Sequence, residues 1–292
     1  MSRRLHSYVG VLILFAVSFC VLHWVYGYVI IFQSRSNDCF FLFGRSFLFE
    51  FLDHPGGLLC YASRFLGQFY HYRWLGALIV SACIASFGVV FHRIVVKLGG
   101  AAHLPWTLFP CVLLLALHAS PLCVLHDTLG LTVSCGAFLG YVSLRANLPR
   151  SCYALAAGPI LYFAIGVHVW LFITWLLAFE WSTRPLRANL VFKTGYLFFS
   201  VAVPLIAWRW WFLIPLWSAL TCPFMFGSPF RSGSTAVSFS SFVVDGVLAV
   251  SVLACLLLVA LWDRLLARTR LAAFWRAQRN RRRLAMAGAA TV

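Results

Sequence analysis

Only seven carboxylates occur in 292 residues, so where they fall is informative. Asp38, Glu50 and Asp53 lie within residues 33–73, Asp127 stands beside His126, and Asp245 opens the last apolar run. Glu180 and Asp263 complete the set. Carboxylates gathered at one membrane surface can take a proton from an acceptor hydroxyl, hold a divalent cation, or bind a cationic substrate. Asp53, Asp38 and Asp127 are therefore the candidate catalytic residues. Arg45, His54, Arg64, Gln68 and His126 are the candidate substrate-binding residues, with the arginines suited to an anionic headgroup. The plainer alternative assigns Asp38 and Asp53 to helix caps or turns and pairs Glu50 with a nearby arginine.

Histidine and cysteine suggest other chemistry, which their spacing does not support. His23, His118 and His168 lie in apolar runs, where polar residues are often functional. A bis-histidine haem site needs ligands paired at matching depth, and His92 is the only further candidate. No His-x-x-x-His pair and no c-type haem motif occurs, so haem is disfavoured and these histidines read as core or interface residues. The ten cysteines include no Cys-x-x-Cys, which excludes a zinc ribbon or a thioredoxin-type motif. Cys20, Cys83, Cys111, Cys135, Cys152 and Cys255 fall in apolar runs and read as small packing residues. Cys39, Cys60, Cys123 and Cys222 map to the outer face or its edge, where a disulfide is permitted. Cys39 with Cys60 is the local candidate pair, and free thiols are the alternative. There is no Walker loop, nucleophile elbow or zinc-protease helix.

The elements that must position these residues are membrane helices. The chain is 62% hydrophobic, 17% aromatic and 10% charged, whereas soluble domains run near 45–50% apolar and about 25% charged. That excludes an ordinary soluble enzyme, and the aromatic content excludes disorder. A helix needs about 20 apolar residues to cross a hydrocarbon core. Such runs occur at residues 8–32, 74–91, 104–125, 129–144, 191–217 and 243–262. The first is too long for a signal peptide and lacks a cleavage site before Gln33, so it reads as a retained signal anchor. Residues 151–181 are long for one span and short for two, and contain Gly158-Pro159 and Gly166.

Charge decides between those readings. Lys and Arg number 23 against 7 Asp and Glu, a net charge of +16. Loops kept in the cytoplasm are enriched in Lys and Arg. With Arg3 and Arg4 inside, Arg93, Lys97, Arg145 and Arg150 return inside after the second and fourth runs. Residues 182–194 and the tail are basic too. Both lie inside only if residues 151–181 go in and come back, as two short helices turning near Gly166-Val167-His168 or as a re-entrant pair. Glu180 and Asp263 then fall on the cytoplasmic side and the other acids on the outer side. The expectation is an all-α polytopic transmembrane bundle of about eight membrane segments with both termini cytoplasmic. The alternative splits residues 191–217 at Arg209. Residues 1–262 form the bundle and residues 263–292 a basic tail. In that tail Arg264, Arg268, Arg270, Arg276, Arg279 and Arg281 to Arg283 alternate with Leu265, Leu266, Leu271, Phe274 and Trp275, which suits an anionic cytoplasmic leaflet. The charge then requires no nucleic acid.

Between the first two runs, residues 33–73 read as two interfacial amphipathic helices joined by Asp53-His54-Pro55-Gly56-Gly57, a lid over the outer end of the bundle. The motif Phe47-Leu48…Phe51-Leu52…Pro55-Gly56-Gly57-Leu58-Leu59…Tyr61…Phe65-Leu66-Gly67-Gln68-Phe69-Tyr70, then Trp74-Leu75-Gly76-Ala77, resembles the N-terminal region of an uncharacterised family of bacterial multi-pass membrane proteins, a domain of unknown function. The resemblance covers residues 40–78. Arg73 stands where that pattern leads one to expect proline, and the chain is short, as though it held the membrane half alone. The resemblance implies placement in the bacterial cytoplasmic membrane rather than an activity. A fainter likeness is to GT-C type polytopic glycosyltransferases, which use a lipid-linked sugar donor and an acidic residue in the first outer loop. Asp38 or Asp53 matches that position. The expectation is a GT-C-like envelope glycan or lipid-modifying transferase acting at the outer face. The rivals are a transporter or flippase component and a non-catalytic subunit bound to a membrane partner.

Overall fold

The computed structural model describes residues 2–36, 41–98, 104–119, 125–144, 147–183 and 190–212, and within them the chain is helical without a strand. Helix α1 (Ser2–Cys20) passes through a π-helical turn, Val21–Val25, into α2 (Gly27–Ser36). Two short helices follow, α3 (Arg45–Leu52) and α4 (Gly57–Gly67), and then a 3-10 turn at Gln68–His71. The long legs are α5 (Arg73–Lys97), α6 (Leu104–His118), α7 (Leu125–Ser143), α8 (Asn147–Ile165), α9 (Val169–Thr183) and α10 (Leu190–Trp210). Asp38 and Cys39, Cys123, Cys222, Asp245 and the basic tail lie outside the described residues.

Contacts fix the direction of each leg. Arg73 at the start of α5 meets His23 near the end of the first leg, and Gly88 in mid-α5 faces Leu14, so these two legs are antiparallel. Lys97 Nζ donates to Ser143 Oγ, so α5 and α7 end together. Arg150 and Tyr153 of α8 donate to the carbonyls of Leu144 and Ala137, at the far end of α7. At the near end of α7 the ring of His168 lies against Gly130. Helix α8 therefore runs against α7, and the chain reverses at Gly166, whose φ is 59°.

Helix α9 then runs back alongside α7. Glu180 near its end accepts a hydrogen bond from Tyr141, and Arg150 near the start of α8 lies over the same Tyr141 ring. The two ends of the α8–α9 pair thus meet at one level. Tyr196 lies beside Gly158 and Phe212 beside Tyr162, so α10 runs in the same sense as α8. The described legs alternate up and down, and the turn expected near Gly166-Val167-His168 is where the chain folds back.

By length and composition two described stretches could cross a membrane, Arg73–Lys97 and Pro149–Glu180, and the second is the pair that reverses at Gly166. Val9–Val25, Leu108–His118 and Phe198–Trp210 are apolar but shorter. Apolar helices that pack closely favour small residues where they cross. Gly88 is one: a Cβ there would stand 3.1 Å from Cys111 Sγ and 3.4 Å from Leu14.

Two departures from the sequence expectation concern the first leg and the start of α7. Residues 8–32 read as one run, but the helix widens into a π-turn at Val21–Val25. The Arg73 guanidinium answers this turn, donating from Nε to the His23 carbonyl at 2.6 Å, from Nη2 to the same oxygen, and from Nη2 to the Trp24 carbonyl at 3.2 Å. Helix α7 also begins at Leu125 rather than 129, which moves His126 and Asp127 from a turn into its first helical turn.

Candidate functional site

The roofed end of the bundle is built by a glycine fit. Pro55, Gly56 and Gly57 are buried. Gly56 has φ 75°, and its N–H donates to the Phe163 carbonyl at 3.1 Å. A Cβ there would lie 3.0 Å from Gly166 N, so the turn between α3 and α4 seats directly on the reversal between α8 and α9. Helix α4 then buries Leu59, Ser63 and Gly67. Helix α3 buries none of its residues and leans on α4 through aromatic rings: Phe47 meets Tyr61 at 6.2 Å and Phe51 meets Tyr61 at 5.9 Å.

Beneath this roof is a buried polar group. Asp127 Oδ1 lies 3.0 Å from His126 Nε2 and 3.8 Å from His168 Nε2. His126 is thus the partner of the buried Oδ1, at ion-pair distance. His118 Nε2 and Thr128 Oγ1 share a hydrogen bond of 2.7 Å one position along the helix. Ser134 Oγ donates to the His168 carbonyl at 2.8 Å, holding the reversal against α7. Arg64 of α4 sits 5.0 Å over the Phe51 ring and is near enough to His126 for their charges to interact.

The structure brings together Asp127, His126 and Arg64 from the sequence candidates. Asp53 is exposed at the C-terminal cap of α3, where its backbone N–H donates to the Phe49 carbonyl, so it is a turn residue whose side chain stands outside the buried group. Arg45 is exposed at the start of α3, and His54 and Gln68 are half-buried on either side of α4. Glu50 is exposed and joins no ion pair with an arginine among the described residues. His168 reads from the sequence as a core residue, and it is buried, but it also faces Asp127. The signal for that is the adjacent Gly166, which turns the chain back toward α7. Among the described residues no group of three or more His, Cys, Asp or Glu side chains could hold a metal ion.

At the opposite end Glu180 is 1% exposed, although its place beside a basic segment suggests a cytoplasmic loop. Tyr141 donates to its Oε1 at 2.7 Å. Arg150 lies over the Tyr141 and Phe179 rings at 6.0 and 5.9 Å. This arrangement closes the end of the α7–α9 contact with aromatic and charged groups.

A family of unknown function, DUF6057, matches residues 2–288. The match extends far beyond residues 40–78, the stretch that carries the resemblance read from the sequence. No curated protein and no solved structure matches the chain.

Proposed function

The chain belongs to the DUF6057 family, and because that family has no assigned function we propose one from the site: a multi-pass bacterial cytoplasmic-membrane protein that transfers a group from a lipid-linked donor to a hydroxyl at the outer face. The observation that carries this reading is Asp127, a buried carboxylate held by His126 at 3.0 Å with His168 at 3.8 Å. A carboxylate offers about four lone-pair sites, so one imidazole contact leaves room for an incoming donor. An acceptor O–H supplies one. As the acceptor oxygen bonds the transferred carbon, its proton passes to Asp127 and the donor's lipid phosphate leaves with the bonding electrons. His126 holds the carboxylate, and Arg64 offers positive charge to the departing phosphate.

The test is transfer of labelled sugar from polyprenyl-phosphate donors in proteoliposomes. Asp127→Asn should lower transfer by ~10²–10⁴-fold, the usual span for a lost general base, while Asp53→Asn retains it. Equal rates for Asp127→Asn and the parent chain would rule the mechanism out. A transporter reading draws on Pro110, Pro159 and Pro204 inside α6, α8 and α10 and on the reversal at Gly166. Substrate flux without a covalent product would favour it.

A further inference from the structure

We infer that Arg73 and the aromatic side chains around it form a binding site for the phosphate of an outer-leaflet phospholipid. The inference rests on the membrane reading above but not on transferase activity. Arg73 is exposed, yet its guanidinium is fixed: Nε and Nη2 are both spent on the carbonyls of the π-turn. Gly27 makes that approach possible, because a Cβ there would collide with Arg73 Nε. Nη1 has no partner among the described residues, and no carboxylate there forms an ion pair with Arg73. A rigid guanidinium with open N–H groups and no counter-ion is a phosphate ligand in waiting.

The surroundings select a lipid over a free anion. Trp24 is 74% exposed, Tyr28 67%, Tyr72 58% and Trp74 54%; Tyr72 and Trp74 flank Arg73 in the sequence, Trp24 lends it a carbonyl, and Tyr28 follows Gly27. Exposed Trp and Tyr at one level mark the boundary between headgroups and acyl chains. Below them on the same two antiparallel legs, Val17 and Leu78 are exposed and apolar, a path for an acyl chain. The phosphate thus meets Arg73 while the chain runs down the exposed faces of α1 and α5. π-turns commonly occur at functional positions, and this one places two carbonyls where they hold the arginine in register.

The experiment uses full-length protein, purified from alkaline-washed membranes in mild detergent, delipidated, and titrated with phosphatidylglycerol under native mass spectrometry. Recovery from the washed membranes tests the membrane reading separately. One phosphatidylglycerol should bind, about tenfold more weakly to Arg73→Gln, the size of one lost charge-assisted hydrogen bond. Binding to Trp74→Ala should weaken by a smaller factor. Diacylglycerol, which lacks the phosphate, should not compete. Trp74→Ala leaves the Arg73 bonds in place, so it reports on the site even where Arg73→Gln misfolds. Equal binding to the parent chain and both variants overturns the proposal, and so does competition by inorganic phosphate at matched concentration, which would make the ligand a free anion.

Discussion

Asp127 owes its setting to glycine as much as to its histidines. A Cβ at Gly130 would collide with the His168 ring, so only glycine lets that ring lie against α7 within reach of the carboxylate. Gly130→Ala should destabilise the protein by ~1–3 kcal/mol, the range for an overpacked core site, seen as a lower melting temperature in detergent. Gly136 is the control, since nothing lies within 4 Å of a Cβ placed there. Gly136→Ala should melt no lower than the parent, given the helix preference of alanine. Equal melting of the two variants would mean the His168 ring moves aside without cost. The scarcity of acids makes Asp127 visible in the sequence, and His126 comes with it. The role of His168 is not visible there, because its contact depends on where the chain reverses. Asp53 stands out for its place in the long connection between the first two apolar runs, but position in a loop does not reveal which way a side chain faces.

The roof shows what can be read at the scale of an element. Amphipathic spacing locates α3 and α4, and Pro55-Gly56-Gly57 marks the turn between them. What the spacing cannot show is that this turn is buried and seated on a second glycine turn from much later in the chain. Gly56→Ala places a side chain at φ 75° and 3.0–3.1 Å from the backbone of Ile165 and Gly166. The left-handed conformation alone costs ~1–2 kcal/mol for a residue with a Cβ, and the backbone it meets cannot rotate away. Limited proteolysis should cut residues 41–56 faster in Gly56→Ala, with the long legs still protected. Cleavage at the parent rate would show that the roof is held elsewhere. The π-turn in the first leg leaves no comparable mark, since residues 21–25 contain neither proline nor glycine. Its trace is Arg73, an arginine in place of an expected proline, whose purpose emerges only once Gly27 and the His23 carbonyl are seen beside it.

For the whole molecule, sidedness is the claim that charge makes and that packing can sharpen. Helix α9 has 15 residues and so spans only ~22 Å at 1.5 Å per residue, less than the ~30 Å of a hydrocarbon core. In the membrane reading proposed above, the Gly166 turn therefore stops short of the outer surface, and α4 fills the remaining depth. That explains why residues 151–181 are long for one span and short for two. It also makes a labelling prediction in a cysteine-free background. Asn147→Cys and Thr183→Cys, at the two ends of the α8–α9 pair, should react with an impermeant maleimide only after the membrane is opened. His54→Cys, in the roof turn, should react from outside in intact cells. Labelling of Thr183→Cys from outside while Asn147→Cys stays protected would place the ends of the pair on opposite sides, which the shared contact of Arg150 and Glu180 with Tyr141 does not allow. Labelling of both from outside would keep the hairpin and invert the orientation, moving Asp127 and its roof to the cytoplasmic face.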